Sequence, residues 1–127
     1  MSDGTRLDID LDSVVSPNST VKSGTYTIQL REIRLDKSKT DRPMLRCGYM
    51  LQNPETHETV FVNDYPLLDT QQGKFRLKQL IIGAGLHTSD YTLEQLVGAQ
   101  YEAELDEEES AEYGPANRIR RLMVNVR

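Results

Sequence analysis

The alternation of apolar and polar residues is strongest over 24–36. Every second residue is apolar up to position 30, which is the period of a strand with one buried face. The apolar phase then shifts by one residue near Arg31–Glu32, as it does at a β-bulge. The pattern predicts a long bulged strand, which can bend around the corner of a small barrel. The apolar residues of this strand are Tyr26, Ile28, Leu30, Ile33 and Leu35.

Two further alternations follow, and polar turn sequences precede each of them at 36–43 and 53–58. They predict strands over 44–52 and 59–65, so the first three strands form an antiparallel meander. The residues expected to face inward are Leu45, Cys47, Tyr49, Leu51, Val60 and Val62. Those expected to face outward are Arg46, Gly48, Met50, Phe61, Asn63 and Tyr65.

The period changes to that of an amphipathic helix over 74–84, and Gly85 is a suitable C-terminal stop. Thr92 and Gln95 have the spacing of a capping box, which predicts one short helical turn ending at Gly98. The apolar residues of the longer helix, spaced at i, i+3, i+4 and i+7, are Leu77, Leu80, Ile81 and Ala84.

The last two predicted strands span 100–105 and 117–126, and an acidic loop over 106–112 is expected to connect them. The inward residues expected in the last strand are Leu122, Val124 and Val126. The resulting order is β-β-β-α-β-β. This order predicts a mainly β protein: a five-stranded OB-fold barrel with one helix between strands 3 and 4.

Residues 23–127 form the predicted barrel domain, and residues 1–22 precede it as an N-terminal extension. Within this extension, residues 7–12 alternate Leu or Ile with Asp, which predicts an extra edge strand. The aspartate spacing from Asp8 is also that of a calcium loop. However, Ser13 and Ser19 replace the Gly and Glu that such a loop requires, so we expect no metal there.

The composition, 37% hydrophobic and 28% charged, is that of a soluble protein, and the length of 127 residues suits one domain. There is neither a signal-peptide pattern nor an apolar run long enough to span a membrane, so a cytoplasmic location is expected. The single cysteine, Cys47, lies in an apolar alternation and is expected to be a buried thiol.

Charge is distributed unevenly along the chain. The net charge is −5, but residues 1–16 carry four acids and one base, and residues 102–112 carry seven acids and no base. The rest of the chain is therefore basic. Since local charge governs the attraction of a polyanion, the net charge does not exclude nucleic acid as a ligand.

No pattern for enzyme chemistry is present. His57 and His87 lack partners at metal-ligand spacing, and no nucleophile elbow, phosphate loop or paired-carboxylate motif occurs. Gly83 and Gly85 follow a helix rather than a strand, so they fit a helix terminus better than a phosphate site. We expect a non-enzymatic protein without a cofactor.

The candidate binding surface is the outer face of the first three strands. Phe61 and Tyr65 share a face about 13 Å apart at the rise of a strand, and outward arginines flank them. Exposed aromatic rings next to cations form a stacking surface for single-stranded nucleic acid. The residues predicted to bind DNA are Arg31, Arg34, Lys37, Lys39, Arg42, Arg46, Phe61, Tyr65, Arg118, Arg120 and Arg121. Alternatively, the two rings pack under the N-terminal strand or in a dimer interface, and the basic hairpin is only a solvated loop.

Four short segments resemble a phage and prophage family of small OB-fold single-stranded-DNA-binding proteins, first catalogued as a domain of unknown function. They are Gly24–Ile28, Leu80–Gly85, Leu93–Gly98 and Asn117–Ile119. The resemblance implies a protein that coats single strands in DNA replication or recombination, in the cytoplasm of a bacterial host. It also implies replication or recombination proteins as partners. Members commonly end in a polar or acidic tail, whereas this sequence ends with the last predicted strand.

The first functional hypothesis is therefore a sequence-tolerant single-stranded-DNA-binding protein. The alternative is a protein-interaction module, an inhibitor or scaffold, that uses the acidic loop and the N-terminal strand to bind a basic partner. An oligosaccharide-binding module is a third hypothesis, and the absence of Trp disfavours it. The sequence leaves open the choice of DNA or RNA and whether the chain forms a homo-oligomer.

Overall fold

Five antiparallel strands form one sheet in the order β3-β2-β1-β4-β5. The computed structural model describes residues 19–110 and 114–126. β3 also packs against β5, so the sheet curves into a nearly closed barrel. The elements are β1 (Gly24–Lys37), β2 (Pro43–Gln52), β3 (Thr59–Asp64), α1 (Gln71–Gly83), a 3₁₀ turn (Leu93–Leu96), β4 (Gln100–Ser110) and β5 (Gly114–Leu122). The predicted fold, an OB-fold barrel with one helix between strands 3 and 4, is confirmed.

β1 joins the two halves of the sheet. Residues 24–29 pair with β4, and residues 29–37 pair with β2. The register with β2 shifts between Leu30 and Glu32, which confirms the predicted bulge. Because the extra residue bends the strand, one strand can serve both sides of the barrel.

The barrel interior is filled by the inward residues of all five strands. Tyr49 is fully buried, and the Tyr101 hydroxyl donates a hydrogen bond of 2.7 Å to the Leu80 carbonyl on α1. Burial raises the pKa of the Cys47 thiol to about 12. The other strand residues of the core are Ile28, Leu30, Leu45, Leu51, Val60, Val62, Ala103, Leu105, Ile119 and Leu122.

α1 has a recognisable cap at each end. The Thr70 hydroxyl accepts a hydrogen bond of 2.9 Å from the Gly73 N–H, so the helix begins three residues earlier than predicted. At the C-terminus, Gly85 adopts a φ of 79°, and the Leu86 N–H donates to the Ile81 carbonyl at 3.0 Å. This is a Schellman arrangement, for which a glycine is favoured.

The predicted acidic loop over 106–112 is wrong for residues 106–110, because β4 continues through them to Ser110. The physical reason is pairing with β5 along this whole segment, with a base opposite one of its acids. β5 begins at Gly114, earlier than predicted, and sets Arg118 opposite Asp106. An acidic segment is stable as a strand when bases face it on its neighbour.

The inward-facing prediction is wrong for Leu35 and only partly right for the end of the last strand. Leu35 is 65% exposed, because β1 pairs with β4 only as far as Gln29 and its last residues pair with β2 alone. β5 ends at Leu122, so Val124 and Val126 follow the strand and are half-buried, and Val124 still packs against the core.

At Val21, the segment that precedes β1 lies against β5. The side chain of Asn117 is buried, and its amide accepts from the Val21 N–H and donates to the Val21 carbonyl, both at 2.8 Å. The edge strand and the calcium-like spacing predicted upstream, at residues 7–12 and from Asp8, lie outside the described residues. Among the residues that are described, no helix is both long enough and apolar enough to cross a membrane.

Candidate nucleic-acid interface

The outer face of β1, β2 and β3 is built from rows of residues aligned across the strands. Pairing places Gln29, Met50 and Phe61 in one row, and Glu32, Gly48 and Asn63 in the next. The third row contains Arg34 and Arg46, and the fourth contains Asp36, Met44 and Leu67. Tyr65 directly follows β3, two residues beyond Asn63 and on the same side.

The two aromatic side chains on this face are open to solvent, and each lies against an arginine. Phe61 is 45% exposed and Tyr65 is 48% exposed. The Arg31 guanidinium carbon lies 5.4 Å from the centre of the Phe61 ring, and that of Arg46 lies 5.8 Å from the centre of the Tyr65 ring. Both distances are within the range of cation–π attraction. The face therefore presents two ring-and-cation units.

The bulge in β1 determines what surrounds Phe61. Inward residues are even-numbered before the bulge and odd-numbered after it, so Arg31 and Glu32 both face outward. Without the extra residue, one of the two side chains would point into the core. The bulge thus places one cation and one carboxylate at the centre of the face.

Acidic side chains partly neutralise the positive charge of this face. Arg46 donates a hydrogen bond of 3.0 Å to Asp36, and Arg34 lies 3.7 Å from Glu32. The pKa of Asp36 is lowered by a hydrogen bond from the Lys37 N–H and then by the bond from Arg46. These pairs are open to solvent and weak, so a phosphate can compete with the carboxylates for the arginines. Arg31 has no ion pair with any residue in the described ranges.

The β1–β2 hairpin continues the face and forms a concave basic surface, which we call the cup. Arg42 contacts both carboxylate oxygens of Asp69, at 2.8 and 2.9 Å, and these hydrogen bonds lower the pKa of Asp69. Lys37 lies 3.5 Å from Asp41 in a solvent-exposed pair. The cup has a volume of about 480 Å³ and is lined in part by Lys37, Lys39, Arg42, Arg46 and Tyr65.

The structure brings together eight of the eleven predicted DNA-binding residues and separates the other three. The eight lie on the β1–β2–β3 face and its hairpin. The arginines of β5 lie on the β4–β5 half of the sheet and pair with β4. Arg118 contacts Glu108 at 3.2 Å, and Arg121 contacts Glu104 at 3.0 Å. Arg120 also faces acids of β4, at 3.5 and 3.9 Å.

Sequence reasoning did not select three residues at the centre of the face, which are Glu32, Gly48 and Asn63. A depression of about 370 Å³ lies beside the Phe61–Arg31 unit and is lined by Arg31, Glu32, Gly48, Tyr49, Phe61 and Asn63. Its floor is the backbone of Gly48, the one residue in its row without a side chain. The sequence signal that could have identified this depression was a glycine in the middle of a predicted strand, because such a glycine often marks a place where a ligand approaches the backbone closely.

A partly buried ion pair fixes the end of β3 beside Tyr65. Arg76 on α1 donates a hydrogen bond of 3.1 Å to Asp64. Burial raises the pKa of Asp64, and the charge of Arg76 opposes that shift. This pair joins the helix to the strand end that carries Tyr65, which sequence spacing alone did not reveal.

Residues 19–110 and 114–126 contain no cluster of three or more His, Cys, Asp or Glu side chains that could bind a metal ion. His57 lies in the β2–β3 turn with a φ of 62°. His87 shares a hydrogen bond of 2.7 Å with the Ser89 hydroxyl, in a loop after α1.

Comparisons with known protein families and with curated proteins find no match to this chain. The molecule is therefore described by its own features. It is an OB-fold barrel with two exposed ring-and-cation units on one face and a basic hairpin at the end of that face.

Proposed function

We propose that this protein binds single-stranded DNA, with little dependence on sequence, across the outer face of β1, β2 and β3. The observation that carries the proposal is the pairing of exposed rings with arginines, Arg31 on Phe61 and Arg46 on Tyr65. Every base has a flat face that can stack on a ring, which contributes about 1–3 kcal/mol per base whatever the sequence. A duplex keeps its bases stacked inside and cannot use these rings.

The phosphates follow the cations beside the rings. Arg31 and Arg34 lie along β1, and Lys37, Lys39 and Arg42 continue the path around the hairpin. The arginines of β5 are assigned no DNA contact in this proposal, because they lie on the β4–β5 half of the sheet, away from the two rings and beside the acids of β4.

A role in phage or prophage DNA replication or recombination, with proteins of those processes as partners, is part of the same proposal. It rests on the resemblance of the four short segments to the phage and prophage family. A single-strand coat is needed wherever a duplex is opened, so the proposed binding mode is compatible with either process.

The experiment is a titration of fluorescently labelled single-stranded and duplex oligonucleotides of equal length at several salt concentrations. We expect tighter binding to the single strand, because only its bases can stack. If about four cations contact phosphates, the slope of log K against log salt is about −3. A non-electrostatic contact would give a slope near zero.

Failure to bind either oligonucleotide would contradict the proposal and favour the interaction module. The observation that supports the module is the row of acids on β4, where Glu107 and Glu109 are exposed. In that case a basic partner, rather than DNA, would protect β4 from hydrogen exchange.

A further inference from the structure

Gly48 is a glycine that the fold does not require. It lies in the middle of β2 and does not have the positive φ that distinguishes Gly85 and Gly98. A Cβ built on it would lie 3.6 Å from the Glu32 Cβ and 3.8 Å from the Asn63 Oδ1, which are ordinary contact distances. A glycine in a strand interior also costs stability relative to alanine. Neither backbone conformation nor packing explains it, which leaves close approach of a ligand.

The surroundings of Gly48 define what could approach. Glu32 and Asn63 stand on either side of it in the same row, directly opposite across the strands. The neighbouring row contains Phe61, about 7 Å along β3 from Asn63 at the rise of two residues. A flat group stacked on this ring can therefore extend an edge over Gly48 and reach both polar side chains.

The two polar side chains select among bases by their hydrogen-bonding groups. The Glu32 carboxylate only accepts hydrogen bonds, whereas the Asn63 amide can donate. Cytosine and adenine carry an amino donor next to a ring nitrogen acceptor, which matches this pair. Held in the same orientation, thymine presents a carbonyl oxygen where the amino group would be, and this oxygen would face the carboxylate. Glu32 keeps acceptor capacity, since its contact with Arg34 is long, at 3.7 Å, and solvent-exposed.

We propose that the depression over Gly48 is a base-reading position that favours cytosine and adenine over thymine, through Glu32 and Asn63. This inference rests on the proposed function, because it needs a strand lying on the β1–β2–β3 face. It adds a modest preference at one position of a surface that is otherwise tolerant of sequence.

The test compares oligo-dC and oligo-dT of equal length, because the two pyrimidines differ little in stacking area. At mildly alkaline pH, where oligo-dC stays unpaired, we expect the wild-type protein to bind oligo-dC about tenfold more tightly, or about 1.4 kcal/mol. Fluorescence anisotropy at one fixed salt concentration gives both dissociation constants.

Two variants examine the depression itself. Glu32→Gln removes the obligate acceptor and is expected to reduce the dC/dT ratio to near one, because an amide can also donate to the thymine oxygen. Its control is Glu55→Gln, which makes the same charge change on the exposed β2–β3 turn and should leave the ratio unchanged. Gly48→Ala places a methyl group on the floor and should weaken oligo-dC more than oligo-dT without lowering thermal stability.

The outcomes separate this inference from the proposed function. Equal binding of oligo-dC and oligo-dT, unchanged in Glu32→Gln, would overturn the base-reading position and leave the single-strand binding protein intact. Absence of binding to either oligonucleotide would overturn both. A wild-type preference for cytosine that Glu55→Gln also abolishes would contradict the role of Glu32.

Discussion

At the scale of single residues, neighbouring side chains on β2 and β3 point alternately into the core and toward the outer face of the sheet. On β3, Val62 is fully buried, while its neighbour Phe61 is 45% exposed. The alternation of a strand produces this contrast, since consecutive residues point to opposite faces. One face is available for a core and the other for a ligand, without any change in backbone structure.

Cys47 provides a test of the inner face. Only 1% of it is exposed, and burial raises the pKa of its thiol to about 12, so almost no thiolate exists at mildly alkaline pH. We expect a thiol reagent such as DTNB to react slowly with the native protein and rapidly after guanidinium unfolding. Equal rates in the two states, measured by absorbance, would place Cys47 at the surface and contradict the described core.

Burial of individual residues could be predicted where a strand is covered along its whole length. The inward residues of β2, which include Leu45 and Tyr49, follow directly from alternation. Leu35 was wrongly predicted because alternation fixes the side of a residue and not whether anything covers it. The role of Gly48 was missed for a related reason, since its importance comes from residues on two other strands.

At the scale of elements, the outer faces of the two halves of the sheet carry different charge arrangements. On the β4–β5 half, the arginines lie among the acids of β4, as in the pair of Arg121 with Glu104 at 3.0 Å. On the β1–β2–β3 half, Arg31 lies on a ring instead of a carboxylate. Arginines with the same formal charge are therefore expected to respond differently to DNA.

Alanine variants of Arg31 and Arg118 test this difference, since both remove one positive charge from an exposed side chain. Arg31→Ala should weaken single-strand binding and reduce the magnitude of the salt slope by about 0.7, the value for one lost phosphate contact. Arg118→Ala should leave the slope unchanged, because Arg118 lies on the β4–β5 half of the sheet, away from the proposed path of the strand. Anisotropy titrations at three salt concentrations give the slopes, and an equal reduction in both variants would contradict the assignment.

The existence and order of the elements could be predicted from local patterns, whereas the ends of two strands could not. The bulge near Arg31 and the helix stop at Gly85 each leave a local signature in sequence. The extension of β4 through residues 106–110 does not, because a run of acids is typical of a loop unless bases face it from another strand. Cross-strand partners are distant in sequence and become visible only in the folded sheet.

At the scale of the whole molecule, the barrel places acidic and basic residues on different parts of its surface. The net charge of −5 does not reveal this separation. Acids are concentrated on β4, and the hairpin at the end of the β1–β2–β3 face carries a cup lined by Lys37, Lys39, Arg42 and Arg46. Such a separation orients an approaching polyanion toward one side of the molecule. The candidate surface could be predicted because it follows from strand alternation, but its exclusion of the β5 arginines required the strand order of the folded sheet.

The central claim is that the exposed rings hold single-stranded DNA, and the double variant Phe61→Ala, Tyr65→Ala tests it most directly. Both rings lie on the surface, so the fold should persist, and circular dichroism provides that control. The measurement is the single-strand dissociation constant of the double variant against that of the wild type at one salt concentration. We predict a loss of about 2–6 kcal/mol, the sum of two stacks. An unchanged dissociation constant in a folded double variant would contradict the account.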